Sequence, residues 1–450
     1  MKLASMMFGD NLKEFQFSLL PKILSHDPAG VSLKTIVHYH QMVHSGRFAR
    51  FDYGSRLNRE IYHSPYSTDY EISKIQVPVG IFWAQNDIIG DPQVEFIKEK
   101  GYPAESHVVL TEDGYYLLLH RIPGKSGSTP VFLQHGMFSS SFDWVVTGKG
   151  RGLAFVLSDQ GYDVWLGNSR GNMYSSCHTR YTPEDPEFWD FSWHEMGVYD
   201  LPASVKYITN RTNKNLIYVG HSMGTIASYV MAIENPDVAS KVNAIYSFSP
   251  VAFVSKAASI LFSSAKIFNL QALNKILPLG YILSHIPKWK YFIEAYCNAN
   301  LNQTATCLRF SAMVFGSNLE DFEFSRFPQI LTHDPSGVSL KTLLHYHQMV
   351  HSGRFAHYDY GRELNEKIYE TGNSPDYDIS KIQRPVGLFW AENDPVGDYE
   401  EILQFYNKLP NKIFINKVKD NRFNHVDYLW GKKIYELVYS KLLASMEKYK

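Results

Sequence analysis

The five residues Gly220-His221-Ser222-Met223-Gly224 fit G-x-S-x-G, the pattern that lifts a serine hydroxyl out of a tight strand-to-helix turn. They follow the strand-like run LIYV and precede the helix-like run TIASYVMAI, which is the context such a turn requires. Side chains at Gly220 and Gly224 would collide with neighbouring elements, so both positions are expected to need glycine. A hydroxyl attacks a carbonyl only if a base takes its proton and a carboxylate holds that base. His425 in NRFNHVDYLW (421–430) is the expected base, and Asp394, directly after PVGLFWAE (385–392), the expected carboxylate. Asp398 and Asp427 are rival carboxylates, less directly attached to the strand. The oxyanion formed in the attack needs two N–H donors. They are expected from the amide of Met223, at the start of the helix, and from Met137 in His135-Gly136-Met137.

These residues need a scaffold that brings strand ends together. Apolar runs at 129–135, 163–168, 216–221, 243–250, 385–392 and 412–418 alternate with helical patterns. This rhythm predicts an α/β chain with a mostly parallel central sheet. Between about 252 and 380 the rhythm is lost, and helix formers and apolar residues dominate. The segment reads as a largely helical cap or lid inserted before the acid strand. Nucleophile, then acid, then histidine is the chain order of the α/β-hydrolase fold.

A long internal duplication frames this unit. Phe8–Asp91 aligns without a gap to Phe315–Asp398, and 56 of the 84 positions are identical. Two distant copies are a segmental duplication, not a solenoid. The expected organisation is therefore a partial duplicate at 1–91, a first core segment at 92–252, cap and lid at 253–380, and the remaining core at 381–450. The duplicate keeps Asp87 as counterpart of Asp394. It has no G-x-S-x-G, and Leu118 stands where His425 would fall, so it is expected to be non-catalytic.

The 450 residues are 44% hydrophobic and 20% charged, which marks a globular chain, and the net charge of −1 gives no electrostatic reason to bind nucleic acid. No apolar run of about 18 residues predicts a membrane span. Asp10 and Glu14 interrupt the start of the chain, so no secretory signal is expected there. The sequons at Asn210 and Asn302, and the nearby Cys297 and Cys307, instead suit an oxidising compartment. His345, His347 and His351 suggest a metal site only superficially. The glutamate of H-E-x-x-H is missing, and a polar cap helix without metal is the better expectation. The apolar stretch 250–289 suits either core-facing cap helices or a lipid-contacting lid.

Taken together, the segments 101–123, 133–145, 163–175, 188–203, 220–225, 389–398 and 423–430 resemble, in collinear order, the acid lipase family, which includes gastric and lysosomal acid lipases and many insect digestive lipases. The resemblance covers essentially all of 98–450. It implies hydrolysis of acylglycerols or sterol esters at a lipid–water interface, with no metal or organic cofactor, in an extracellular or lysosomal setting. It carries Ser222, Asp394 and His425 as the triad and Met137 and Met223 as oxyanion donors. It also implies that Cys297 and Cys307 form a cap disulfide. The alternatives are a catalytically silent lipid-binding member of the fold and an intracellular carboxylesterase.

Overall fold

Apolar runs rich in Val, Ile, Leu and aromatics, flanked by turn residues, become the strands of one sheet in the computed structural model. The structure describes residues 32–45, 47–71, 74, 91–263 and 320–450, and between 264 and 319 only 281–282, 296–297, 303, 306–307, 309, 314, 316 and 318. The chain divides into two compact units, Met1–Glu99 and Lys100–Lys450.

In the second unit, β1 (Glu105–Leu110) and β2 (Tyr115–Ile122) form an antiparallel hairpin, and β2 pairs antiparallel with both β4 (Asp163–Gly167) and the short β5 (Cys177–His178). The other strands are β3 (Pro130–Gln134), β6 (Leu216–His221), β7 (Val242–Phe248), β10 (Val386–Trp390) and β11 (Lys412–Lys417). From β4 onward every pairing is parallel, and the order across the sheet is β1-β2-β4-β3-β6-β7-β10-β11. The central strands β3, β4 and β6 are buried at every position, as expected when helices cover both faces of a parallel sheet. The six strands anticipated from apolar runs all form. The antiparallel hairpin was not anticipated.

The register aligns the chemistry. Gln134 at the end of β3 faces Gly220, His221 faces Phe248, and Phe248 faces Phe389. The C-terminal ends of β3, β6, β7 and β10 therefore form one edge, where ligands bind in open α/β sheets.

The insertion between β7 and β10 contains the two-residue pair β8 (Tyr281–Ile282) and β9 (Val338–Ser339) and the helices Leu340–Ser352 and Arg362–Tyr369. Cys297 and Cys307 are joined by a disulfide. The helix Leu340–Ser352 departs from the expected polar character. His345 and His347 are buried, as are Leu343, Leu344, Tyr346, Met349 and Val350. The physical reason is satisfaction by partners. The His345 ring stacks on Trp193 at 3.8 Å, its Nε2–H donates to the Ala356 carbonyl at 2.9 Å, and its Nδ1 lies 3.1 Å from Ser192 Oγ. Most of the stretch 250–289, Asn302, Asp87 and the strand-like run 78–85 lie outside the described residues.

The first unit holds the helices Leu33–Ser45 and Ser55–Tyr62, and the antiparallel bridge Ala49↔Asp69 ties the segment between them to the residues after the second.

Candidate active site

Strand β6 ends at His221, and Ser222 follows with φ +52°, a left-handed conformation that side chains rarely adopt. Its N–H donates to the Phe248 carbonyl at 3.0 Å, and the helix Met223–Glu234 starts at once. The strain is held by contacts on both sides. Thr225 Oγ1 donates to the Ser222 carbonyl at 2.6 Å and accepts from the Val251 N–H at 2.9 Å. The two glycines are needed for proximity. A Cβ on Gly220 would lie 2.9 Å from the Gly224 carbonyl, and one on Gly224 would lie 2.6 Å from the Gln134 oxygen.

The structure brings Ser222, His425 and Asp394 together. Ser222 Oγ is 2.9 Å from His425 Nε2, and His425 Nδ1 is 3.0 and 3.2 Å from the two carboxylate oxygens of Asp394. All three side chains are buried. Burial by itself would raise the Asp394 carboxyl. Attraction to His425, hydrogen bonds from His425 and Ser249, and the Val396 amide at 2.9 Å outweigh it and hold the carboxyl below its ordinary range. The group is thus kept as the anion that can orient an imidazole.

The rival carboxylates have other work. Asp398 caps the helix Tyr399–Lys408, accepting from Glu400 N–H at 3.0 Å and Glu401 N–H at 3.1 Å. Asp427 accepts from the Asn424 N–H at 2.9 Å and from Asn318 Nδ2 at 3.2 Å, which shapes the turn carrying His425. Burial pushes its carboxyl up to about 7.

The loop His135-Gly136-Met137 lies beside the nucleophile: a Cβ on Gly136 would meet Ser222 Cβ at 3.0 Å. Met223 opens the helix on the other side. His135 is buried and receives the Ser169 N–H on Nε2 at 3.1 Å, so Nδ1 carries the proton and donates to the Gly136 carbonyl at 2.7 Å. Burial lowers this histidine to about 4, so it stays neutral and keeps one tautomer. His221, the variable residue before Ser222, donates from Nε2 to the His425 carbonyl at 2.8 Å. Burial and the neighbouring His425 lower it to about 3.

Neither His135, His221 nor Ser249 was anticipated in a supporting role. The first two sit inside motifs that draw attention to their neighbours. Ser249 is marked only by standing directly after a strand end.

Among the described residues, no group of three His, Cys, Asp or Glu side chains is arranged to hold a metal, and no helix is long and apolar enough to cross a membrane. Asn210 is exposed on the last turn of the helix Leu201–Thr212. Cys177, in β5, is half-buried.

Three kinds of likeness bear on this geometry. A family model described as alpha/beta hydrolase fold matches residues 129–432, and one described as a partial alpha/beta-hydrolase lipase region matches 93–148. The gastric triacylglycerol lipase of Bos taurus is 34% identical over 371 residues, covering 78% of this chain and 90% of the relative. Lipase 3 of Drosophila melanogaster is 34% identical over 389 residues, covering 84% and 98%. A solved structure of a soluble variant of monoglyceride lipase from Saccharomyces cerevisiae superposes with TM-score 0.50 at 16% identity, covering 77% of this chain and 95% of that one, a likeness of fold alone.

Proposed function

The chain belongs to the α/β-hydrolase lipase family that includes the gastric triacylglycerol lipases, and on that premise we propose that it cleaves carboxylic esters of lipids, triacylglycerols or sterol esters, through an acyl-enzyme on Ser222. The observation that carries this reading is the unbroken hydrogen-bonded chain from Ser222 Oγ through His425 to Asp394.

His425 Nε2 takes the Ser222 proton as Oγ attacks the ester carbonyl, and Asp394 steadies the imidazolium that forms. The carbonyl oxygen becomes an oxyanion, held by the amides of Met137 and Met223, with the positive end of the helix Met223–Glu234 adding to the field. His425 then protonates the departing alcohol, leaving the acyl group on Oγ. Water, deprotonated by the same imidazole, releases the fatty acid and restores Ser222. These side chains and amides complete the acyl transfer between them.

The lipid–water interface is the expected place of action. An extracellular or lysosomal setting fits the Cys297–Cys307 disulfide and the exposed sequon at Asn210. The N-terminal copy adds no second site, since it contains neither an elbow nor a histidine in register with His425.

The test is Ser222→Ala on emulsified triacylglycerol and on long-chain p-nitrophenyl esters. The expected loss in kcat is at least about a thousandfold with unchanged thermal unfolding. A fluorophosphonate probe should label the native protein at Ser222. Retained turnover in the alanine variant, or an unlabelled Ser222, would reject the assignment.

A further inference from the structure

One strand lies between the nucleophile strand and the acid strand, and its last residues touch both. Phe248, the end of β7, accepts the Ser222 N–H on its carbonyl at 3.0 Å. The next residue, Ser249, donates its own N–H to the Phe389 carbonyl of β10 at 3.1 Å. Ser249 takes a left-handed backbone with φ +49° and is buried. That turn carries its hydroxyl to within 2.8 Å of His425 Nδ1, as close as either carboxylate oxygen of Asp394. The hydroxyl also favours the ionised form of Asp394, among the influences that hold that carboxyl below its ordinary range.

Proton counting then fixes the directions. His425 Nε2 must be bare to receive the Ser222 proton, so the single ring proton is on Nδ1. That N–H is shared between Asp394 and Ser249 Oγ. The oxygen of Ser249 therefore accepts from the imidazole. We propose that Ser249 is a positioning residue of the active site, a second acceptor beside Asp394 for the His425 Nδ1–H, which fixes the imidazole and supports its positive charge during the reaction. This rests on the triad roles assigned above.

The site has no ready substitute for the hydroxyl. Ser249, His425 and Asp394 are all buried, so water from bulk does not replace a lost acceptor without rearrangement. A hydroxyl in a strained left-handed backbone is a costly way to fill space, which a glycine would fill without strain.

Ser249→Ala and Ser249→Gly both remove the hydroxyl but differ in backbone strain, so the pair separates chemistry from conformation. Both variants are expected to lower kcat for a soluble p-nitrophenyl ester by about ten- to a hundredfold, the range for one hydrogen bond to a charged group, with KM unchanged. Phosphonylation of Ser222 by a fluorophosphonate should slow by a similar factor, because it also needs His425 to take the serine proton. The low-field proton resonance of His425 Nδ1 should shift in both variants. Wild-type rates in both would overturn the proposal. A loss in Ser249→Ala that Ser249→Gly restores would also overturn it, assigning the effect to backbone strain. If the native protein is never labelled at Ser222, the triad reading fails instead, so the two failures are distinct.

Discussion

Gly224→Ala is the sharpest test of how the oxyanion loop is placed. The added Cβ would stand 2.6 Å from the Gln134 carbonyl oxygen and 2.8 Å from that of His135. Both are backbone atoms, so no side chain can swing away. Restoring tolerable contact requires the helix start or the end of β3 to retreat by roughly 0.4–0.8 Å. Neither yields easily. β3 is paired on both sides, by β4 and β6, and the helix start is tied to the β7 exit through Thr225 and Val251. Overpacking of this kind costs about 1–3 kcal/mol.

The larger consequence is catalytic. His135, Gly136 and Met137 continue from the displaced strand end, so the Met137 amide moves away from Ser222. Misplacement approaching 1 Å costs up to about a hundredfold in rate. We expect kcat/KM for p-nitrophenyl butyrate to fall by about 30- to 100-fold, with thermal unfolding only a few degrees lower. Gly127→Ala is the control. Its φ is +84° and nothing lies within 4 Å, so it should cost about 1 kcal/mol and leave kcat/KM alone. Active-site titration with a fluorophosphonate gives the fraction of intact sites. The reasoning is refuted if Gly224→Ala keeps kcat/KM within threefold of wild type. It is equally refuted if titration shows fewer sites, each with an unaltered rate.

Two further outcomes are expected. Asp394→Asn puts an amide where His425 must donate and should cut kcat by about 10³–10⁴-fold, whereas Asp398→Ala removes only a helix cap worth about 1 kcal/mol and should leave kcat intact; equal losses in kcat would contradict the division of labour. Buried His221 is lowered to about 3 from an ordinary 6.5, so the unfolded chain takes up its proton first; its contribution to stability is complete above pH 6.5 and lost as pH falls toward 3. Between pH 6.5 and 5 urea unfolding should show the wild type losing about 1.5 kcal/mol more than His221→Asn, and parallel pH curves for the two proteins would contradict this.

Much of the site was legible because its parts are local. A parallel strand announces itself as a short apolar run; Ser222 follows one directly, and Asp394 and His425 stand in the loops that leave β10 and β11. The hairpin β1–β2 was missed although β1 alternates between buried and exposed positions. Period-2 patterning over six residues is a weak signal beside the long apolar runs that dominate the chain. Ser249 was illegible for a deeper reason. Its meaning depends on β7 lying between β6 and β10, and that order is set by pairings between strands far apart in sequence. Nothing in SFSP itself points to an imidazole 176 residues away.

The duplicated segment is an internal control on the reach of local sequence. Residues 32–71 repeat 339–378, and the two copies make the same bonds. His38 and His345 each donate to an alanine carbonyl at 2.9 Å, and Asn58 and Asn365 each donate to an aspartate at 2.7 Å. Arg47 pairs with Asp69 at 2.9 Å and Arg354 with Asp376 at 2.8 Å. Each of these contacts spans at most 22 residues, so the segment carries them wherever it is placed. Burial does not travel with it. Phe355 is 2% exposed and Tyr377 4%, packed around Trp193, whereas their counterparts Phe48 and Tyr70 are 52% and 44% exposed. The ring pair itself repeats, Phe48–Tyr70 at 4.8 Å and Phe355–Tyr377 at 4.6 Å between centroids, and what the complete unit adds is the packing of that pair on Trp193. The same distinction governs the chemistry. Ser222 and His425 meet across 203 residues, and His425 meets Asp394 across 31. A copied segment that ends short of the histidine inherits a fold and a spare aspartate, but the step that makes a serine nucleophilic is formed only where three distant strand ends converge.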